Sequence, residues 1–194
     1  MNNIDIIKNN FEESRETNSI SSETILNSIE EAVSKILVMF EKSGQLITCG
    51  NGGSSGDAQH IASEFINRFE IERKSLPAIS LNSDTATLTS IANDYGYKYV
   101  FSKQINAIGK SDDVLMAFTT SGNSENILQA ITAAKSKGIS TILVCGGNGG
   151  EAIKLLDNDD IKIVVPSERT SRIQEIHLII IHSICECIDK HISQ

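Results

Sequence analysis

The chain has 194 residues, four cysteines and a formal charge of −8, a length that suits one well-buried domain and is short for two. Apolar residues make up 40% and charged residues 22%, which excludes a disordered or low-complexity protein. The acidic balance argues against nucleic acid as a main partner, so any phosphate site must be local, built from backbone and hydroxyls.

The longest apolar run, around Ile176 to Ile188, is interrupted by His177, His182 and Glu186 and is too broken to span a bilayer. The first ten residues carry no apolar signal segment, and the expected location is the cytoplasm. Reduced cysteines fit that compartment. Cys185 and Cys187 point about 200° apart on a helix, which rules them out as a clamp on one metal.

In chain order, Ile4, Ile7 and Phe11 give residues 2–16 a helical spacing, and the polar run Asn18–Ser22 predicts a break. A second helix is expected from Glu23 to Ser43, with Ile25, Ile29, Val33, Ile36, Leu37 and Phe40 on one face and Gly44 as its stop. No strand precedes these helices. They therefore cover the sheet or meet another subunit, and residues 1–44 form an N-terminal helical pair within the same domain as 45–194.

From Gln45 onward, short apolar strands alternate with helices. Strands are predicted at 46–50, 77–81, 113–118, 140–145 and 161–165. Helices are predicted near 55–69, 84–108 (broken around Asn93 to Tyr97), 124–137, 150–156 and 169–191. That alternation specifies an α/β fold, a doubly wound five-stranded parallel sheet of flavodoxin-like order. Ligands of such sheets bind at the carboxyl ends of the strands.

Two loops at strand ends carry the chemistry. The first, Gly50-Asn51-Gly52-Gly53-Ser54-Ser55-Gly56, leads into a helix bearing His60 and Glu64, which four-residue spacing places on one face. Glycines let the backbone approach a ligand, and free N–H groups at a helix start favour an anion. A dinucleotide site matches poorly: Ser55 holds the third glycine position, and the second strand ends Ile79-Ser80-Leu81-Asn82 without an acid. The second loop, Thr119-Thr120-Ser121-Gly122-Asn123-Ser124, offers four hydroxyls, an amide and a helix start, a way to hold phosphate without a desolvated lysine. The glycine-rich run 146–150 lacks hydroxyls and reads as a flexible turn. Asn93-Asp94 reads equally as a simple turn or as a wall of the cleft. His177 and His191 read as packed helix residues.

Taken together, CGNGGSS, AQH followed by Glu64, SLPAISLNSD, IANDYGY, TTSGNSENI and RIQEIH followed by His182 resemble the sugar isomerase (SIS) domain. The resemblance is closest to its phosphoheptose isomerase family and covers nearly the whole chain. It implies an aldose–ketose isomerase that interconverts sedoheptulose 7-phosphate and D-glycero-D-manno-heptose 7-phosphate through an enediol, the first step toward heptose for lipopolysaccharide or capsule. It implies a homotetramer with intersubunit sites and one zinc per subunit. It assigns substrate binding to Asn51, Gly52, Gly53, Glu64, Asn93, Asp94, Thr119, Thr120, Ser121, Ser124 and Gln174. It assigns zinc to His60, Glu64, Gln174 and His182, with Glu64 also the base and His182 the acid. Ser171 stands where the family often has Asp. A related protein that associates with the replication initiator DnaA resembles INRFEIERKSLPAI and PSERTSRIQE at least as well, but it lacks the acid/base pair. Glu64 and His182 therefore favour the enzyme.

One geometric expectation follows. On a straight helix Gln174 and His182 lie about 12 Å apart along the axis and about 80° apart around it. Zinc draws its ligand atoms to within about 2.0–2.2 Å of one point. Either the helix bends between them, with no proline there to bend it, or the two come from different chains; the expected metal site is the second, completed across a subunit boundary.

Overall fold

The computed structural model describes residues 2–193. Five parallel strands, β1 (Leu46–Gly50), β2 (Ala78–Ser80), β3 (Val114–Phe118), β4 (Ser140–Gly146) and β5 (Ile161–Val165), form one sheet in the order β2-β1-β3-β4-β5. This is the doubly wound, flavodoxin-like order expected from the alternation of elements. In-register pairs such as Gly50 with Phe118 and Phe118 with Val144 bring the carboxyl ends of the three central strands to one edge. The order reverses between β1 and β3, and a crevice opens at such a switch point. Both chemically loaded loops leave the sheet there.

Successive strand residues face opposite sides, so each strand supplies two cores. Leu46, Val114, Met116, Phe118, Ile142, Val144 and Ile163 face one layer. There they pack against α2 (Leu26–Glu41), α3 (Gly53–Ile66) and α7 (Thr170–Ile192). Ile47, Cys49, Leu115, Ala117, Leu143 and Cys145 face the other layer, against α5 (Ser102–Ile108) and α6 (Glu125–Ser136). Burial of every residue in β1 and β3 explains why those strands read as unbroken apolar runs rather than alternating ones.

The N-terminal helices differ from the pattern. α1 (Asn3–Thr24) runs straight through the predicted break at Asn18–Ser22 and ends at Ile25. Its hydroxyls bond to carbonyls one turn back: Thr17 to Glu13 at 2.9 Å, Ser21 to Thr17 at 2.7 Å and Thr24 to Ile20 at 3.0 Å. Polar residues so satisfied are compatible with a helix interior. The stripe Ile4, Ile7 and Phe11 stays exposed, Phe11 by 73%. Its polar contacts with the rest of the chain include the start of α7, where Arg169 pairs with Glu13 and Arg172 donates to the Asn10 carbonyl. The Arg169 guanidinium lowers the Glu13 carboxyl below its usual range. At the end of α2 the left-handed residue is Ser43 (φ 61°), while Gly44 donates to the Met39 carbonyl at 2.9 Å.

The stretch predicted as one broken helix, 84–108, is α4 (Thr85–Tyr95), a 3-10 turn Tyr97–Tyr99, and α5, with Gly96 (φ 97°) at the break. The expected helix at 150–156 is a short 3-10 turn, Ala152–Leu155. Cys49, Cys145, Cys185 and Cys187 are all free thiols.

Candidate active site

The turn after β1 is tighter than its seven-residue glycine-serine run suggests. α3 starts at Gly53, so Asn51 and Gly52 alone form the corner, and Gly52 takes φ 55°. Gly50 must lack a side chain because a Cβ there would collide with the Ser54 backbone. Ser54, Ser55 and Gly56 therefore belong to the first turn of α3, whose unpaired N–H groups face the crevice end of the sheet.

Three amide contacts stitch the strand ends together. Asn51 and Asn126 exchange hydrogen bonds, 2.8 Å each way, across the β1–β3 crevice. Asn82, just past β2, brackets Gly50 by accepting from its N–H at 3.1 Å and donating to its carbonyl at 2.9 Å. The Tyr97 hydroxyl donates to Asn51 Oδ1 at 3.2 Å. Asn126, Asn82 and Tyr97 are site residues that the sequence reading missed. Each lies inside a quoted motif without having been singled out: Asn82 in SLNSD, Tyr97 in NDYGY and Asn126 in TTSGNSENI.

The hydroxyl loop is preorganised from within and from behind. Thr119 is buried, and its Oγ1 accepts from the Gly122 N–H at 3.2 Å. Ser121 is exposed and accepts from Asn123 N–H at 3.2 Å. Ser124 begins α6 without a side-chain capping bond, which leaves its hydroxyl beside the free N–H groups of the helix start. Thr120, half-buried, accepts a backbone bond from Gly146 at 3.2 Å. The 146–150 run is a brace rather than a flexible turn. Ala152 N–H donates to the Gly122 carbonyl at 2.9 Å and Glu151 N–H to Asn123 Oδ1 at 3.0 Å. Gly147, Gly149 and Gly150 supply the positive φ angles this packing needs.

α3 and α7 run alongside each other in parallel and carry the remaining candidates in layers. At the top, the Gln174 amide lies against Gly53, so close that a Cβ on Gly53 would overlap it. One layer down, fully buried His177 faces Asp57 (Nδ1 to Oδ2 3.4 Å) and the Phe118 ring. Below that, His60 Nε2 is 3.2 Å from Glu64 Oε1, with both side chains partly exposed. The His182 ring meets His60 edge-on, with centroids 5.1 Å apart. His60, Glu64 and His182 thus form one cluster, and Gln174 stands apart from it at the other end of the seam. Asn93 and Asp94 are exposed near the end of α4, where Asn93 donates to Asp94 at 2.9 Å, and α4 buries no residue.

Imidazole and carboxylate are the donor types zinc takes, so the His60–Glu64–His182 cluster suits that ion chemically. Among the described residues, however, no three His, Cys, Asp or Glu side chains converge on one point. A groove of about 1020 Å³ lies elsewhere, along the outer edge of β2 between α3, α4 and α5, and reaches the cluster only at His60. The convergent polar groups at the strand ends lie outside that groove and form the candidate site.

Comparison with known proteins identifies the family. The family model of the SIS domain matches residues 10–146. A phosphoheptose isomerase of Colwellia psychrerythraea is 53% identical over 183 residues, covering 94% of this chain and 93% of the relative. One from Alteromonas mediterranea is 49% identical over 186 residues, covering 96% and 94%. Among solved structures, a phosphoheptose isomerase from Francisella tularensis superposes with a TM-score of 0.96 at 39% identity, covering 98% of this chain and 100% of that one. The chain belongs to the phosphoheptose isomerase family of SIS-domain proteins, a family of isomerase enzymes.

Proposed function

We propose that the chain converts sedoheptulose 7-phosphate to D-glycero-D-manno-heptose 7-phosphate, supplying heptose for lipopolysaccharide or capsule in the cytoplasm. The observation that carries this reading is the clustering of His60, Glu64 and His182 on the α3–α7 seam, whose other end starts from the anion-suited loops at the switch point. A sugar phosphate needs both: an anchor for its phosphate and an acid/base pair at the other end of the chain.

Moving a carbonyl between C1 and C2 requires a base that removes a proton from one carbon and returns it to its neighbour through a cis-enediol. Glu64 is that base, and His182 exchanges the proton on the oxygens. Asn51, Gly52, Gly53, Asn93, Asp94 and Gln174 orient the sugar. Thr119, Thr120, Ser121 and Ser124 hold the phosphate by hydroxyls and helix N–H groups rather than by a cation. His60, Glu64, Gln174 and His182 would hold zinc, whose chemistry there would be Lewis-acid polarisation of the substrate carbonyl.

Gln174 faces Gly53 whereas His182 faces His60, so a complete ligand set calls for α7 from a second protomer in a homotetramer. The exposed apolar stripe of α1 is consistent with such an assembly. The reading as a binding protein for the replication initiator is not favoured, since the close relatives are named as isomerases. Turnover of sedoheptulose 7-phosphate by the purified protein is the test.

A further inference from the structure

The segment INRFEIERKSLPAI, which spans the end of α3 and the connection to β2, holds none of the residues assigned to catalysis. Its conformation is nonetheless tightly fixed. Arg73 and Asp189 pair at 2.6 Å with side chains only 4% exposed. Arg73 also donates to the Glu64 carbonyl at 2.8 Å and the Phe65 carbonyl at 3.1 Å, closing the last turn of α3. The second oxygen of Asp189 accepts from the backbone N–H groups of Glu70 (3.2 Å) and Ile71 (3.4 Å). A buried ion pair with this many backbone bonds over-determines the path of residues 69–73.

The pinned path delivers one side chain to the site. The Phe69 ring lies stacked on the His182 imidazole, with centroids 5.5 Å apart and planes 25° apart. His182 is otherwise exposed, and its second aromatic neighbour, His60, meets it edge-on at 78°. An exposed histidine free to take several rotamers is a poor acid, because proton transfer demands one orientation. Two rings at nearly right angles leave it few.

We propose that Phe69 is a positioning residue for His182, and that the Arg73–Asp189 lock exists to hold Phe69 in place. The role of His182 in chemistry rests on the function proposed above; its orientation by Phe69 does not. Phe69→Leu keeps apolar bulk but removes the planar face, whereas Phe69→Tyr keeps it.

The test reads ring orientation first, by NMR of histidine-labelled, metal-stripped protein, with His182 assigned through His182→Gln. In the wild type the His182 ring protons lie upfield of those of His191, whose Nδ1 meets only the Cys187 carbonyl. That displacement disappears in Phe69→Leu and persists in Phe69→Tyr. In zinc-supplied enzyme, kcat falls about tenfold in Phe69→Leu, a fraction of the loss from deleting a general acid, at unchanged melting temperature. In Phe69→Tyr it stays within about twofold of wild type because the stacking face is kept. Wild-type His182 signals without the upfield displacement, or a Phe69→Leu variant with full kcat, would overturn the proposal. A wild type that shows the displacement but no turnover would instead remove the proposed function and leave Phe69 orienting His182.

Discussion

Asn51 and Asn126 exchange two amide hydrogen bonds, each 2.8 Å, across the crevice between β1 and β3. That pair joins the glycine turn to the helix behind the hydroxyl loop, so the two halves of the site move as one body. Asn126 is only 3% exposed. Asn126→Ala leaves the Asn51 amide with the Tyr97 hydroxyl alone, its N–H unpaired, at a cost of about 1–3 kcal/mol. The expected result is a lower melting temperature together with a raised KM for the sugar phosphate. A variant with lowered stability and unchanged KM would show that the pair braces the fold without shaping the site.

The hydroxyl loop should act on substrate binding more than on chemistry. Ser121 is exposed at its tip, and Ser124 opens α6 with an uncommitted hydroxyl. Ser121→Ala and Ser124→Ala are each expected to raise KM by the equivalent of about 1–2 kcal/mol, the scale of a hydrogen bond to a charged group, with kcat nearly preserved. Steady-state kinetics on both variants decides it. If KM stays at the wild-type value in both, the phosphate sits on the Asn51–Gly53 turn instead.

Shared metal sites predict complementation. Gln174 and His182 occupy different layers of the α3–α7 seam. Gln174→Ala and His182→Ala proteins are each expected to be inactive. Subunits of the two variants, mixed by co-expression or by refolding together, should regain activity because some sites then draw Gln174 from the His182→Ala chain and His182 from the Gln174→Ala chain. Mixed oligomers no more active than the parents would place all four ligands in one chain.

The four thiols should separate cleanly. Burial pushes Cys49, Cys145 and Cys185 up to about 12, while Cys187 is exposed. A thiol reagent near neutral pH attacks the thiolate, so native protein should react rapidly at Cys187 alone and denatured protein at all four cysteines. Rapid native labelling of Cys49 or Cys145 would mean that the core on that side of the sheet opens.

The strand pattern was legible because β1 and β3 are buried along their whole length, and short apolar runs bounded by Gly, Asp and Ser have few other readings. The loops were legible because both follow strands and open helices. What escaped was set by tertiary contact. Asn82, half-buried, and Asn126, buried, are single amides with no periodic signature, and their role exists only once β1, β2 and β3 align. The polar run 18–22 looked like a break because hydroxyl-to-carbonyl bonds one turn back are invisible in composition. The 146–150 run looked flexible because glycine permits motion as readily as it permits close packing. Here its backbone is pressed against Gly122 and Asn123.

The proposed pairing of Glu64 as base with His182 as acid on a heptose phosphate is open to direct measurement. Purified protein supplied with zinc and sedoheptulose 7-phosphate should form the aldoheptose phosphate. In D2O it should exchange at least part of the transferred hydrogen, the signature of an enediol. Glu64→Gln keeps the shape of the side chain and should lower kcat by about 10²-fold or more, the scale of a lost general base. A wild-type protein that folds, takes up zinc and leaves sedoheptulose 7-phosphate unchanged would contradict the account.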